Sequence, residues 1–178
     1  MTSFADIWAG LQQSGQPPPY LLIDCAGIDG GEARIPREIF AELECLFTGD
    51  LAIELANVGP YLGRLVSYDS AVKAVVEDLL IAQVAMLVTL QDTADRQDDI
   101  TFSQLHRHFR KFNVVYDPAG KPLFFRYYDS RVLFDALNVL ETEQANAFFG
   151  PVDAVLVIDP EGQVKRCFRR AGKLEIQT

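Results

Sequence analysis

The chain has 178 residues, 49% of them hydrophobic, and a formal net charge of -9. A chain of this length buries roughly 70% of its unfolded surface, enough for one core without disulfide or metal staples. The acidic balance argues against nucleic acid as a partner, because attraction to phosphates needs a basic footprint. Cys25, Cys45 and Cys167 are odd in number and far apart, which argues against a secreted disulfide framework and for a reducing, cytoplasmic setting.

The opening residues, MTSFADIWAG, carry Asp6 instead of a basic segment and are followed by no apolar run, so no signal peptide is readable. Phe4, Ile7, Trp8 and Leu11 recur at helical spacing and predict an amphipathic helix before the break from Gly15 to Pro19. Tyr20 to Cys25 reads as a short buried strand leading into the loop Gly27 to Gly31. Pro36 suits a first helical position, and Ile39, Phe40, Leu43, Leu46 and Phe47 predict a helix that stops at Gly49. Gly59-Pro60-Tyr61-Leu62 opens an extended segment that runs to Val66. A helix then starts near Asp69 or Ser70 and buries Val72, Val75, Val76, Leu79 and Leu80.

Val84 to Leu90 is the expected central strand, and Gln91 to Asp99 an exposed acidic loop. The most apolar stretch, Leu79 to Leu90, is about a dozen residues and includes Gln83. A membrane span needs ~20, so no membrane insertion is expected. Thr101 and Gln104 match a capping box, with Ile100 and Leu105 placed as its hydrophobic staple. Phe102, Leu105, Phe109 and Phe112 then form the helix's buried stripe. Asn113 to Tyr116 and Leu123 to Tyr128 flank the turn Asp117-Pro118-Ala119-Gly120 and predict a hairpin. Asp159-Pro160-Glu161-Gly162, between Ala154 to Ile158 and Val164 to Phe168, predicts a second.

Tyr68-Asp69-Ser70 and Tyr128-Asp129-Ser130 each end an extended run and begin an apolar-periodic helix, with aspartate as the N-cap. The expected class is α+β, a mixed sheet with helices packed on it and two hairpins in the C-terminal half. A main domain over residues 1–152 and a C-terminal hairpin extension over 153–178, packed on the same core, complete the expectation.

Charge is uneven. Residues 1–100 hold 16 acids and 5 bases, residues 101–178 hold 9 acids and 11 bases, so -11 and +2 sum to the net -9. Such an asymmetry can orient a protein partner, or simply decorate two solvated faces.

Residues able to carry chemistry are sparse. His106 and His108 are the only histidines, and on a helix they point roughly 200° apart, which prevents them from sharing a metal. No C-x-x-C spacing occurs, and Gly27, Gly30 and Gly31 complete no phosphate-binding loop. Asp92, Asp95, Asp98 and Asp99 lack the alternation, glycine and terminal glutamate of a calcium loop. No metal, cofactor or catalytic residue is expected. The densest constellation is Phe124 to Arg131. Strand alternation would put Phe124, Arg126 and Tyr128 on one face and Phe125 and Tyr127 on the other. Arg126 is then expected to be partly buried, stacked on aromatics or paired with a carboxylate, either as a structural clamp or as a binding residue.

Leu46-Phe47-x-Gly49, Gly59-Pro60-Tyr61-Leu62, Leu105 to Arg110, Asp117-Pro118-x-Gly120, Phe125-Arg126-Tyr127-Tyr128-Asp129-x-Arg131-Val132-Leu133 and Phe149-Gly150-Pro151-Val152 occur in an order and spacing that resemble a known family. It is the type VI secretion effector chaperone/adaptor family, catalogued as a domain of unknown function. Its pattern has proline where this chain has Ser130, which keeps the Asp129 cap but loses proline's preset φ. The resemblance implies a non-enzymatic protein that binds a cognate effector, often at the effector's N-terminal region, and promotes its loading onto the valine-glycine repeat spike. Under it, Phe47, Gly59, Pro60, Tyr61, Leu62, Arg126, Tyr128, Asp129 and Arg131 are the motif residues, serving partner binding or a structural clamp. Lys165, Arg166, Arg169, Arg170 and Lys173 form a candidate basic face. The alternatives are an α/β enzyme or small-molecule binder using residues such as Asp24, Arg126 and Asp129, and a self-associating structural subunit.

Overall fold

The computed structural model describes residues 2–91, 100–117, 119–170 and 173–177. Helix α1 (Phe4–Gln13) is opened by a capping box between Ser3 and Asp6. Strands β1 (Tyr20–Asp24) and β2 (Phe40–Cys45), helix α2 (Asp50–Leu55), strand β3 (Pro60–Leu65), helix α3 (Ser70–Ile81) and strand β4 (Ala85–Leu90) follow. Helix α4 (Phe102–Arg110), the small hairpin β5 (Val114–Tyr116) and β6 (Pro122–Phe124), helices α5 (Ser130–Leu137) and α6 (Thr142–Phe149), and strands β7 (Val152–Ile158), β8 (Val164–Arg170) and β9 (Lys173–Gln177) complete the order.

Seven strands form one sheet in the order β2-β3-β1-β4-β7-β8-β9, and β5 pairs with β6 separately. The α+β class is as expected. The pairings are all antiparallel, so the large sheet is not mixed. Alternation along the strands feeds two cores. Tyr20, Leu22, Leu62, Met86, Val88, Val155 and Val157 face the layer of α4, α5 and α6. Leu21, Ile23, Tyr61, Leu65, Leu87 and Leu156 face α1 and α3. Burial on both faces explains why Tyr20 to Ile23 reads as an unbroken apolar run.

The expected helix from Pro36 to Gly49 is instead a strand at the sheet edge. Only Arg37–Ile39 makes a single 3-10 turn, and Phe40–Cys45 pairs with β3. A bulge between Phe40 and Glu42 inserts one extra residue into β2, so Phe40 and Leu43, three apart in sequence, reach the same side and both lie over Gly63. The bulge thus imitates helical spacing. Leu46 and Phe47 then cross to the opposite core.

Both D-P-x-G turns form as read. Asp117 Oδ1 accepts the amides of Ala119 and Lys121, and Asp159 Oδ1 accepts those of Glu161 and Gln163. Gly120 and Gly162 take φ +80 and +78, conformations that disfavour a Cβ. The first hairpin is shorter than expected, with β6 ending at Phe124. At the C-terminus, β8 and β9 extend the same sheet and β7 begins at Val152, so the expected boundary at 152/153 falls inside a strand. The acidic loop read over Gln91 to Asp99 lies, beyond Gln91, outside the described residues. Among the described residues no helix is long and apolar enough to cross a membrane.

Candidate functional site

The family-motif residues converge at one end of β1 and β3. β1 ends at Asp24, whose carboxylate is buried and starts a 3-10 turn by accepting the Ala26 amide at 3.2 Å. Its other oxygen takes the Arg126 guanidinium, Nη2 to Oδ2 2.7 Å. Arg126 also approaches Asp129 Oδ2 at 3.6 Å and lies 5.9 Å from the Tyr128 ring centroid. Asp129, buried as well, caps α5 by accepting the Arg131 amide, and the Arg131 side chain holds both of its oxygens at 2.9 Å. Asp69 caps α3 in the same way through the Val72 amide. The clamp therefore joins β1 to the start of α5, two segments about a hundred residues apart.

Burial raises Asp24 above the usual carboxylate range, and Arg126 and the Ala26 amide pull it down only in part. Asp129 also feels burial, but hydrogen bonds from Arg131 and the charges of Arg131 and Arg126 outweigh it and hold its carboxyl low. The two aspartates thus have opposite acid responses within one cluster. Burial opposes Arg126's charge too, yet Asp24 and Asp129 keep the guanidinium firmly protonated.

The expected alternation through Phe124 to Tyr128 fails because the strand has already ended. The Asp129 amide bonds back to the Arg126 carbonyl at 3.0 Å, turning the chain. Arg126 and Tyr128 still meet, through this turn and not through a shared strand face. Tyr127 is fully buried, donates its hydroxyl to Asn113 Oδ1 at 3.0 Å, and stacks on Phe109. Sequence reasoning missed its position at the centre of the core. The D-S step that starts α5 was the available signal that the strand must stop before Tyr128.

Phe47 lies edge-on to Tyr128, with ring centroids 6.4 Å apart. Gly59 packs so closely that a Cβ there would meet Phe47 at 3.0 Å, the Leu55 carbonyl at 3.1 Å and Cys45 Sγ at 3.3 Å. Pro60, Tyr61 and Leu62 are buried in β3. Pro60 accepts the Leu46 amide, and Tyr61 and Leu62 enter opposite cores.

The proposed basic face does not assemble. Alternation along β8 sends Arg166 and Arg169 to opposite sides of the sheet. Lys165 binds Asp159 at 3.1 Å, Arg166 binds Asp153 at 2.9 Å and covers the Phe168 ring, and Arg169 donates to the Gly150 carbonyl. The Arg170 side chain lies outside the described residues, and Lys173 sits on β9. His106 and His108 are separated as expected. The former bonds the Cys45 carbonyl at 2.8 Å, the latter the Phe148 carbonyl at 2.7 Å. Burial pushes Cys25 up to about 12 and Cys167 to about 11, so neither is a thiolate near neutrality. Among the described residues no three His, Cys, Asp or Glu side chains cluster as a metal site would require.

The family model described as a domain of unknown function (DUF4123) matches residues 19–147. The chain belongs to the DUF4123 family. The matched span contains the clamp residues Asp24, Arg126, Asp129 and Arg131, which tie β1 to the start of α5. No curated protein and no solved structure matches the chain.

Proposed function

We propose that this DUF4123 protein is a non-enzymatic chaperone/adaptor that binds a cognate type VI secretion effector, through the effector's N-terminal region, and promotes its loading onto the valine-glycine repeat spike. The observation that carries the reading is the order and spacing of the motifs that resemble the effector chaperone/adaptor family, with the motif residues spent on the scaffold. Both oxygens of Asp24 and both of Asp129 are held by guanidinium groups or backbone amides, an arrangement that fixes geometry and offers a substrate little. An effector with uncovered apolar segments aggregates before assembly, and a specific partner prevents this by covering them.

The test is co-expression with the product of the adjoining reading frame. The effector gains solubility, co-purifies with this chain in a complex that survives salt, and is secreted only when the chain is present. Unchanged solubility, recovery and secretion would sink the assignment. The competing enzymatic reading draws on Asp24, a buried carboxylate whose pKa is raised by burial, beside a cation. It requires turnover of a small molecule that Asp24→Asn abolishes while the fold is retained.

A further inference from the structure

Between the segment that follows β2 and the C-terminal end of α4 lies a groove of about 500 Å³. Half-buried Phe47, Leu51 and Val114 supply its apolar lining, and exposed Arg107, Arg110 and Lys111 supply its charge. Among the described residues no carboxylate lines it. None of these three cations has an ion pair among the described residues, whereas Arg37, Arg64, Lys73, Arg126, Arg131, Lys165 and Arg166 each hold a carboxylate. In a chain with 25 acids against 16 bases, acids were not in short supply.

Cations in the last turn of a helix complement its dipole, which accounts for basic residues at the end of α4. It does not account for open apolar surface left between them. Asn113 also lines the groove, but its amide donates to the Leu46 carbonyl and accepts from Tyr127. Its hydrogen-bonding capacity is directed inward, so polar recognition falls to the cations. Phe47 links the groove to the clamp through its contact with Tyr128, which sets one side of the lining on a rigid support and lowers the ordering cost of binding.

We propose that this groove receives an acidic, apolar segment of the partner protein, with carboxylates on Arg107, Arg110 and Lys111 and apolar side chains against Phe47, Leu51 and Val114. The proposal rests on the chaperone reading and deepens it by naming the chemistry of the bound segment. A nucleic-acid backbone would engage the cations but leave the apolar lining uncovered, and it would be repelled by the rest of a surface with net charge -9. Apolar burial sets how long the segment stays, and the exposed cations set how fast it arrives and in which register.

Fluorophore-labelled peptides tiled across the N-terminal region of the adjoining reading frame's product, titrated with the full chain at low and high salt, test this. An acidic, apolar peptide binds. Replacing Arg107, Arg110 and Lys111 together by Gln slows its association about tenfold and flattens the salt dependence. Leu51→Asp weakens the same peptide by about tenfold or more through faster dissociation, with both variants melting as the parent does. The proposal is overturned if basic peptides are preferred, if an oligonucleotide displaces the peptide, or if both variants bind as the parent does. If the co-expressed complex forms and survives both variants unchanged, only the groove assignment fails. If the parent chain forms no complex at all, the chaperone reading fails and the groove assignment falls with it.

Discussion

Two regions of this protein combine arginine with aromatic rings, and they use them in opposite ways. In the clamp, Arg126 reaches two buried carboxylates and a tyrosine ring, and every charge is answered within the chain. In the groove at the end of α4, Arg107, Arg110 and Lys111 stand beside Phe47 without a carboxylate among the described residues. A guanidinium surrounded by its own acids holds a fold together, and one left unanswered on apolar surface is available to a partner. Phe47 belongs to both regions, which makes the two separable by mutation when the cations or Leu51, and not the ring, are changed.

The largest effect is expected beneath the clamp, where Phe148 touches the rings of Phe109, Phe112, Tyr127 and Phe149. Phe148→Ala should lose about 3–5 kcal/mol in denaturant titration. A loss near 1 kcal/mol would mean that the cluster relaxes around the vacancy and does not rigidly support the clamp.

Arg126→Ala should cost about 1–2 kcal/mol, mostly by stranding the Asp24 carboxylate. Because the Arg126 side chain is 44% exposed, water already screens part of the pairing and keeps the cost from reaching the range of fully buried pairs. Asp24 binds its proton more readily in the folded than in the unfolded chain, so ionising it costs stability as pH rises from 3.8 through its folded value. The Arg126→Ala deficit should therefore shrink on acidification through that window, and adding Asp24→Asn should recover much of it. A variant that melts normally but no longer binds its effector would move Arg126 from clamp to contact surface.

His108 gives a smaller, pH-specific effect. Burial lowers its pKa from 6.5, with the Phe148 carbonyl opposing and Lys111 assisting. The unfolded chain then takes up the proton first, so stability is complete above about pH 6.5 and falls as pH drops from there toward the folded value. Melting temperatures measured across this range should show the slope in the parent and lose it in His108→Gln. Asp129, with its folded pKa held below 3.8, keeps its stabilising contribution throughout this range and loses it only in stronger acid, so it does not obscure the window.

The smallest effect is expected in the groove. Neutralising Arg107, Arg110 or Lys111 removes a favourable dipole contact and should cost less than about 1 kcal/mol each. A larger loss would show that these cations answer an acid of this chain, and the contrast with the clamp would collapse.

Much of the architecture was legible from local chemistry. The Thr101/Gln104 capping box, the aspartate caps of α3 and α5 and the two D-P-x-G turns formed as read, because each is completed within a few residues. That Arg126 would stack on an aromatic ring or pair with a carboxylate was legible as well, and it does both. The identity of that carboxylate was not, because Asp24 lies 102 residues away and only the pairing of β1 with β3 and β4 brings it near.

The misread segments fail for the same physical reason. Phe40 to Phe47 carries a helix-like spacing, but the free edge of β3 accepts it as a strand and the bulge absorbs the mismatch. The basic residues of β8 cluster in sequence, yet the pleat sends them to two faces, where acids and a carbonyl already wait. Sequence by itself determined what short-range hydrogen bonds and steric preferences can complete: caps, turns, strand-to-helix junctions and the family motif. Tertiary structure alone decided which charges are neutralised and which are left over. That balance depends on distances between residues far apart in the chain, and no local pattern records those distances.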